Sequence, residues 1–281
     1  MKTKTLVAVI RAVFLVAVIL LTLFPLIYIF LSSFKDAKEI MMGGVSIWPS
    51  HFTLDNYIRA WNAADFSTYT WNSIVYSVSV TIATIFISSM LAFCITRQEF
   101  VGKKLVSACY YGSMFIAGAV TIYPIFMLLV KMHLNKTLFG LIIASIGMGQ
   151  SFAVLMVTNY LKSIPKDLDE SALIDGCSPF RLYRSILFPV IIPVVSVVGM
   201  VTFQSNWNNY MLPLALTTAT PELRPLAVGV TALSYTAEGK AAGQWDLLIA
   251  GSCMAMVPIL LVYVFANKFF VSEIMRGSVK G

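Results

Sequence analysis

The sequence predicts an all-α polytopic membrane protein with six transmembrane helices and both termini on the inner side. Of its 281 residues 58% are hydrophobic, and the mean hydropathy is +0.82. Only 12% are charged, about half the share of a soluble domain. The apolar residues fall in long unbroken runs without strand-like alternation. A bilayer core about 30 Å thick needs roughly 20 apolar residues per helix.

The first run, about 6–31, follows Met1-Lys2-Thr3-Lys4. It is longer than the ~7–15-residue apolar core of a secretory signal, so a retained membrane helix is expected. The first outer loop, about 32–72, carries Trp48-Pro49, Phe52 to Tyr57 and Trp61. Such aromatics commonly sit at headgroup level, and an interfacial belt is preferred over ligand contact. The second run, about 73–96, passes through a short basic turn, Arg97 to Lys104, into a third, about 105–130. Tyr123-Pro124 is expected to kink that third helix. His133 then falls in a solvated loop. In the fourth run, about 138–161, Gly140, Ser145, Gly147 and Gly149 are expected as close-packing positions. Gln150, near its middle, is expected away from lipid.

The fifth run, about 186–206, ends in Gln204-Ser205-Asn206-Trp207-Asn208-Asn209-Tyr210. These amides either cap orphan carbonyls at a helix end or line a polar substrate path. The last outer loop, about 210–246, contains Leu226 to Leu233, too short to span, which lies at the interface or dips back among the helices. The sixth run is about 247–267.

Topology follows from charge. Of the 20 Lys and Arg, thirteen fall on the N-terminal side of the spans and seven on the other, which places both termini inside by the positive-inside rule. The net charge of +7 is thereby used in orientation, and no nucleic-acid partner is implied. Cys94, Cys109, Cys177 and Cys253 are far apart, so neither metal nor disulfide is expected. No carboxylate lies within the six runs, which argues against a proton relay. No G-x-x-x-x-G-K-[ST] cradle for ATP is present. No catalytic Ser/His/Asp or Cys/His set lies at membrane depth. A pore, or a permease driven by another chain, remains.

Between the fourth and fifth runs lies an acidic interruption, Asp167 to Phe180. Pro165 is expected in the first turn of a short helix. Asp167, Asp169 and Glu170 suit the positive end of its dipole. Gly176 can end it in a left-handed conformation, and Ser178-Pro179 reads as the cap and first turn of the next helix. A short helix at the inner surface suits docking into a groove of a partner; an amphipathic connector is the plainer alternative.

Glu170-Ser171-Ala172-Leu173-Ile174-Asp175-Gly176-Cys177-Ser178, with Phe188-Pro189 and Pro193 beyond, resembles the EAA loop of permease subunits in bacterial ABC importers. That pattern is Glu-Ala-Ala, three residues, Gly, and a later Leu-Pro. Ser171 and Cys177 stand where the family usually has Ala, and Phe188 where it has Leu. Ser33-Phe34-Lys35, Leu54-Asp55-Asn56-Tyr57, Asn72-Ser73, Leu161 to Pro165, Trp207-Asn208, Leu226-Ala227-Val228-Gly229 and the tail Gly277 to Gly281 resemble the MalG-like sugar branch of the binding-protein-dependent transport inner-membrane components.

The resemblance implies one permease domain over residues 1–281 with a MetI-like fold, in the bacterial inner (cytoplasmic) membrane. Its coupling loop, about 162–185, would seat in a cytoplasmic ATPase dimer, with the contact carried by Glu170, Ser171, Ala172, Asp175 and Gly176. The tail would touch the same ATPase. ATP and Mg would be bound there, leaving this chain without a cofactor. A second, MalF-like permease would complete the path. An extracytoplasmic sugar-binding protein would meet the loop from Pro213 to Trp245. A neutral carbohydrate is the expected cargo. A glycerol-3-phosphate-type solute is the alternative, and a stand-alone secondary transporter a more distant one. Tyr123, Gln150, Gln204, Asn206 and Asn209 are the candidate path residues.

Overall fold

The computed structural model describes the backbone of residues 2–42, 46–234 and 244–277, and the side chains of 7–42, 46–234 and 244–264. Among these the regular structure is entirely helical. In order come α1 (Lys2–Ser32), α2 (Ala37–Met42), α3 (Asp55–Ala63), α4 (Phe66–Arg97), α5 (Lys103–Ser113), α6 (Gly118–Lys131) and α7 (Leu138–Ser163). Then follow α8 (Asp167–Ile174), α9 (Pro179–Arg181), α10 (Phe188–Trp207), α11 (Met211–Thr217), α12 (Leu226–Ala232) and α13 (Trp245–Gly277). A π-helical segment, Leu182–Leu187, joins α9 to α10, and a 3-10 turn, Pro221–Leu223, precedes α12.

Among the described residues five helices are long and apolar enough to cross a bilayer, and the bent pair α5 and α6, taken as one span, makes a sixth. The third run is not one kinked helix. α5 and α6 meet at 112°, and Pro124 lies inside α6, away from the break. Gly112-Ser113 supplies the weak point. Glycine is a poor helix former, and the Ser113 hydroxyl folds back onto the Tyr110 carbonyl. α6 closes on His133, exposed as expected, in a left-handed conformation at φ 56°. The amides of His133 and Leu134 return to the carbonyls of Val130 and Leu129.

The chain forms two compact units, Met1–Ser67 with Gly229–Val257, and Thr68–Val228 with Pro258–Gly281. In the first, α1 is apolar and exposed along nearly its whole length, as suits a helix whose solvent is hydrocarbon. The turn after it is held tightly. Buried Asn56 donates to the carbonyls of Ser33 (3.0 Å) and Lys35 (2.9 Å). The Tyr57 and Ser33 hydroxyls lie 2.6 Å apart, and the Lys35 ammonium donates to the Ser46 carbonyl. Burial pushes the Tyr57 phenol above its ordinary pKa. Tyr57 therefore belongs to this turn, whereas Trp48 is exposed. Arg59 pairs with buried Asp246 of α13 at 3.1 Å.

In the second unit, α4, α7 and α10 share an apolar core with residues such as Phe93, Val157, Leu161, Leu187 and Val195. α10 comes close to α4 at Gly199, where an added Cβ would lie 2.9 Å from Ile85 Cδ1. Of the glycines expected to pack closely on α7, only Gly140 does, against the Leu134 backbone. A Cβ at Gly147 or Gly149 would meet nothing within 4 Å, although the two lie on different faces of α7. Leu226 and Val228 are buried here, and Val230 and Leu233 are buried in the first unit; the short apolar segment folds into the protein. Asn72 and Ser73 hold its approach. Asn72 donates to the carbonyls of Glu222 (2.8 Å) and Arg224 (3.2 Å), and Ser73 accepts from the Leu226 amide at 2.7 Å.

Candidate functional site

α8 is built by local chemistry. The Lys166 carbonyl accepts from the amides of Asp169 (2.8 Å) and Glu170 (3.0 Å). This makes Lys166 the first cap and leaves Pro165 just outside, earlier than the first-turn position expected. Asp167, Asp169 and Glu170 occupy the first turn, where the dipole favours anions. Gly176 stands at φ 78°. Its amide returns to the Leu173 carbonyl, and that of Cys177 to Ala172, each at 3.0 Å. That pattern is a Schellman C-cap, completed as Cys177 packs on the core containing Ala172. Ser178 Oγ then accepts from the Arg181 amide to cap the next helix. The π segment leads to Pro189, which has no N–H to give to residue 185 and crowds its carbonyl.

The two faces of α8 differ. Ala172 is buried at 5% exposure and Asp169 at 8%, whereas Ile174 is 86% exposed. Leu173, Phe180, Glu170, Ser171, Asp175 and Gly176 also face outward. The Ser171 hydroxyl folds back onto the Asp167 carbonyl at 2.8 Å, so serine replaces alanine here without an unmet donor. Arg97, the last residue of α4, reaches under the buried face. Its Nε lies 2.7 Å from Asp169 Oδ2. Its Nη2 donates to the Ile164 carbonyl at 2.9 Å. Beyond Arg97, hydrogen bonding from Lys103 holds the Glu99 carboxyl below its usual pKa.

At the opposite end of α4, α7 and α10 is a polar knot. The buried Tyr76 hydroxyl donates to Asn206 Oδ1 at 2.9 Å. A phenol has one proton, so the Ser145 hydroxyl, 2.7 Å away, donates to it. Asn209 Nδ2 adds a long contact at 3.5 Å. Asn206 Nδ2 caps the Thr202 carbonyl at 2.8 Å. Asn206 and Asn209 are thus brought together, around Tyr76. Gln204 is exposed. Gln150 is buried, and neither end of its amide has a hydrogen-bond partner among the described residues. Tyr123 is exposed beside a cavity of about 470 Å³ with Ile122, Phe126 and Met211. A larger cavity, about 680 Å³, fills the crook of α5 and α6 against α7. Met114, Met132 and Met148 line it, with Ser113, Thr121 and Ser151 as its polar atoms.

Residues 84–274, more than half of the chain, match the family described as binding-protein-dependent transport system inner membrane component. The chain belongs to that family. It is a multi-pass inner-membrane permease component of an ABC transporter. The chain is 32% identical over 263 residues to the probable starch degradation products transport system permease protein AmyC of Thermoanaerobacterium thermosulfurigenes, covering 93% of each. It is 29% identical over 265 residues to the arabinooligosaccharides transport system permease protein AraQ of Bacillus subtilis, covering 93% of this chain and 92% of that one. A crystal structure of a bacterial ABC transporter involved in the import of the acidic polysaccharide alginate shares the fold, with a TM-score of 0.81 at 21% identity over 96% of this chain and 98% of that chain.

In this inner-membrane component the exposed Leu173 and Ile174, the inward turn of Asp169 and the Tyr76 knot were not singled out by sequence. An isoleucine in an acidic helix outside the spans was the available signal for the first. The tail residues 278–281, and residues 235–243 of the last outer loop, lie outside the described residues.

Proposed function

We propose that this chain is the permease subunit of an ATP-driven carbohydrate importer and that α8 is its docking element for a cytoplasmic ATPase. One observation carries the reading. α8 is fixed to the protein on one face and presents a large exposed aliphatic, Ile174, on the other, outside the apolar spans. A short helix offering an apolar anchor among acids fits the helix-in-groove mode. The excess of basic residues on this side of the spans supports a cytoplasmic groove. The transport of starch degradation products and arabinooligosaccharides, for which AmyC and AraQ are named, supports a neutral sugar as cargo.

On this reading an ATPase dimer binds ATP and Mg. A second permease completes the path, and an extracytoplasmic binding protein delivers the sugar. Tyr123, Gln150, Gln204, Asn206 and Asn209 remain the path candidates. Gln150 is buried with its whole amide unpaired among the described residues, whereas Asn206 is already used by Tyr76 and Thr202.

Replacing Ile174 by Glu tests the docking role. The variant should reach the membrane in normal amounts yet lose co-purification with the ATPase and at least nine-tenths of sugar uptake. Retained co-purification with normal uptake would sink the reading. Identifying the ligand carried by the co-purified external protein tests the substrate class.

A further inference from the structure

The buried side of α8 carries an ion pair that docking onto an ATPase does not require. Asp169 and Arg97 are far apart in sequence, yet their side chains are 11% and 4% exposed and 2.7 Å apart. The second Asp169 oxygen, Oδ1, is buried without a hydrogen-bond partner among the described residues. The carboxylate therefore depends on Arg97. The guanidinium is engaged twice: Nε faces Asp169 Oδ2 at ion-pair distance without a hydrogen bond among the described residues, and Nη2 donates to the Ile164 carbonyl at the end of α7. Arg97 thus joins the C-terminus of α4, the C-terminus of α7 and the first turn of α8 in one rigid planar group. Removing one partner of such a buried pair strands the other charge.

Two covalent paths leave α8: a three-residue link back to α7, whose end Arg97 also holds, and one through Gly176 and Ser178-Pro179 into α9 and α10. The second path departs from regular α-helix at a left-handed glycine, φ 78°, at the π segment Leu182–Leu187 and at Pro189. A buried ion pair stands on one side of α8 and an irregular stretch of helix on the other.

We infer that Arg97 is a positioning residue for coupling, which acts through Asp169 to transfer movement of α8 to α4 as well as to α10. The inference rests on the proposed docking of α8, and it adds that the load of the ATPase is shared between two transmembrane helices. With the pair broken, α8 still docks and ATP is still hydrolysed, but α4 no longer follows. The defect is one of coupling and not of assembly.

The test uses the complete complex, with both permeases, the ATPase and the external binding protein, in proteoliposomes. Sugar transported is measured per ATP hydrolysed. Asp169→Asn and Arg97→Gln should keep stoichiometric ATPase and basal hydrolysis while the ratio falls at least tenfold. The exchanged pair, Arg97→Asp with Asp169→Arg, should recover at least a third of the wild-type ratio. An unchanged ratio in the single variants overturns the inference, as does failure of the exchange to recover any of it. Loss of the ATPase from Asp169→Asn also overturns it, by placing Asp169 in the partner contact. Should neither single variant accumulate, Arg97→Lys replaces them. It keeps the charge but loses the second bond to Ile164, and its ratio should fall several-fold; an unchanged ratio overturns the clasp. Ile174→Glu separates the two ideas. If that variant keeps its ATPase, the docking reading fails; if it loses the ATPase while Asp169→Asn transports normally per ATP, only the clasp fails.

Discussion

Gly176 offers the sharpest test of whether the shape of α8 matters for transport. Its φ of 78° lies in the left-handed region, which costs a residue with a Cβ roughly 1–2 kcal/mol. Space is not the difficulty, since a Cβ there would meet no atom within 4 Å. A β-branched residue has two ways out. It can stay left-handed under strain, or it can leave and forfeit the two 3.0 Å cap bonds of Gly176 and Cys177, each worth about 1 kcal/mol net. Both routes cost about 1–2 kcal/mol, a 5- to 30-fold loss of the capped conformation. α8 has only eight residues, too few to hold a helix by themselves, so nothing local offsets the loss. Initial rates of labelled-sugar uptake, divided by membrane abundance, should fall in the order Gly, Asn, Ala, Val. Asparagine should remain near wild type because it visits this region readily, and valine should retain a tenth or less. Full uptake by Gly176→Val at normal abundance would refute the role of α8. Equal damage from Asn and Val would refute the conformational explanation.

Other outcomes follow from packing and hydrogen bonding. Tyr76→Phe removes the hydroxyl that joins Ser145 and Asn206. Single hydrogen bonds between membrane helices are worth about 0.6 kcal/mol on average and rarely above ~1.7, so a loss of about 1–2 kcal/mol is expected. Thermal unfolding followed by tryptophan fluorescence should move down by a few degrees, and by less for Ser145→Ala, which leaves the Asn206 bond in place; no shift for Tyr76→Phe would contradict the knot. Gly140→Ala drives a Cβ into the Leu134 carbonyl, and such overpacking costs typically ~1–3 kcal/mol. Immunoblots should show it depleted from membranes, with Gly147→Ala and Gly149→Ala at normal levels. The reverse order would show that the open positions on α7 are packed in the assembled transporter.

The features readable from sequence were those set by local chemistry. Runs of apolar residues marked the spans, and Gly176 and Ser178-Pro179 marked the end of α8 and the start of the next helix. The break between α5 and α6 was hidden because both halves are apolar and a proline nearby drew the expectation to itself. Asp169 looked like one more acid at a helix N-terminus; that it faces inward depends on Arg97, brought beside it by the packing of α4. Ala172 was grouped with the docking residues by its place in the motif, although the helical period turns it toward the core. The family motifs were visible as patterns, but their reasons are spatial. Leu54-Asp55-Asn56-Tyr57 holds Ser33-Phe34-Lys35 through Asn56 and Tyr57. Asn72-Ser73 holds the start of Leu226-Ala227-Val228-Gly229 through the Leu226 amide.

The polar contacts of α4, α7 and α10 fall at the two ends of the bundle. From Tyr76 to Arg97 the rise along α4 is about 31 Å at 1.5 Å per residue, close to the ~30 Å thickness of a hydrocarbon core. Between those ends the contacts are mostly apolar, and apolar contacts are non-directional. One more hydroxyl pair, Ser89 with Tyr183 at 2.8 Å, sits near the Arg97 end. The helices are thus pinned by directional bonds where the chain meets the two interfaces and are free to adjust between them. They are not equally stiff. α4 and α7 contain no proline, whereas α10 carries Pro189 and Pro193 and follows the π segment. A displacement applied to α8 reaches Tyr76 along α4, which has no proline, but it reaches Asn206 through α10, which has two. The two arrive at the same hydrogen bond, 2.9 Å long, and unequal arrival strains it. The knot at the far end is therefore the place where a difference between the two routes becomes a change in structure.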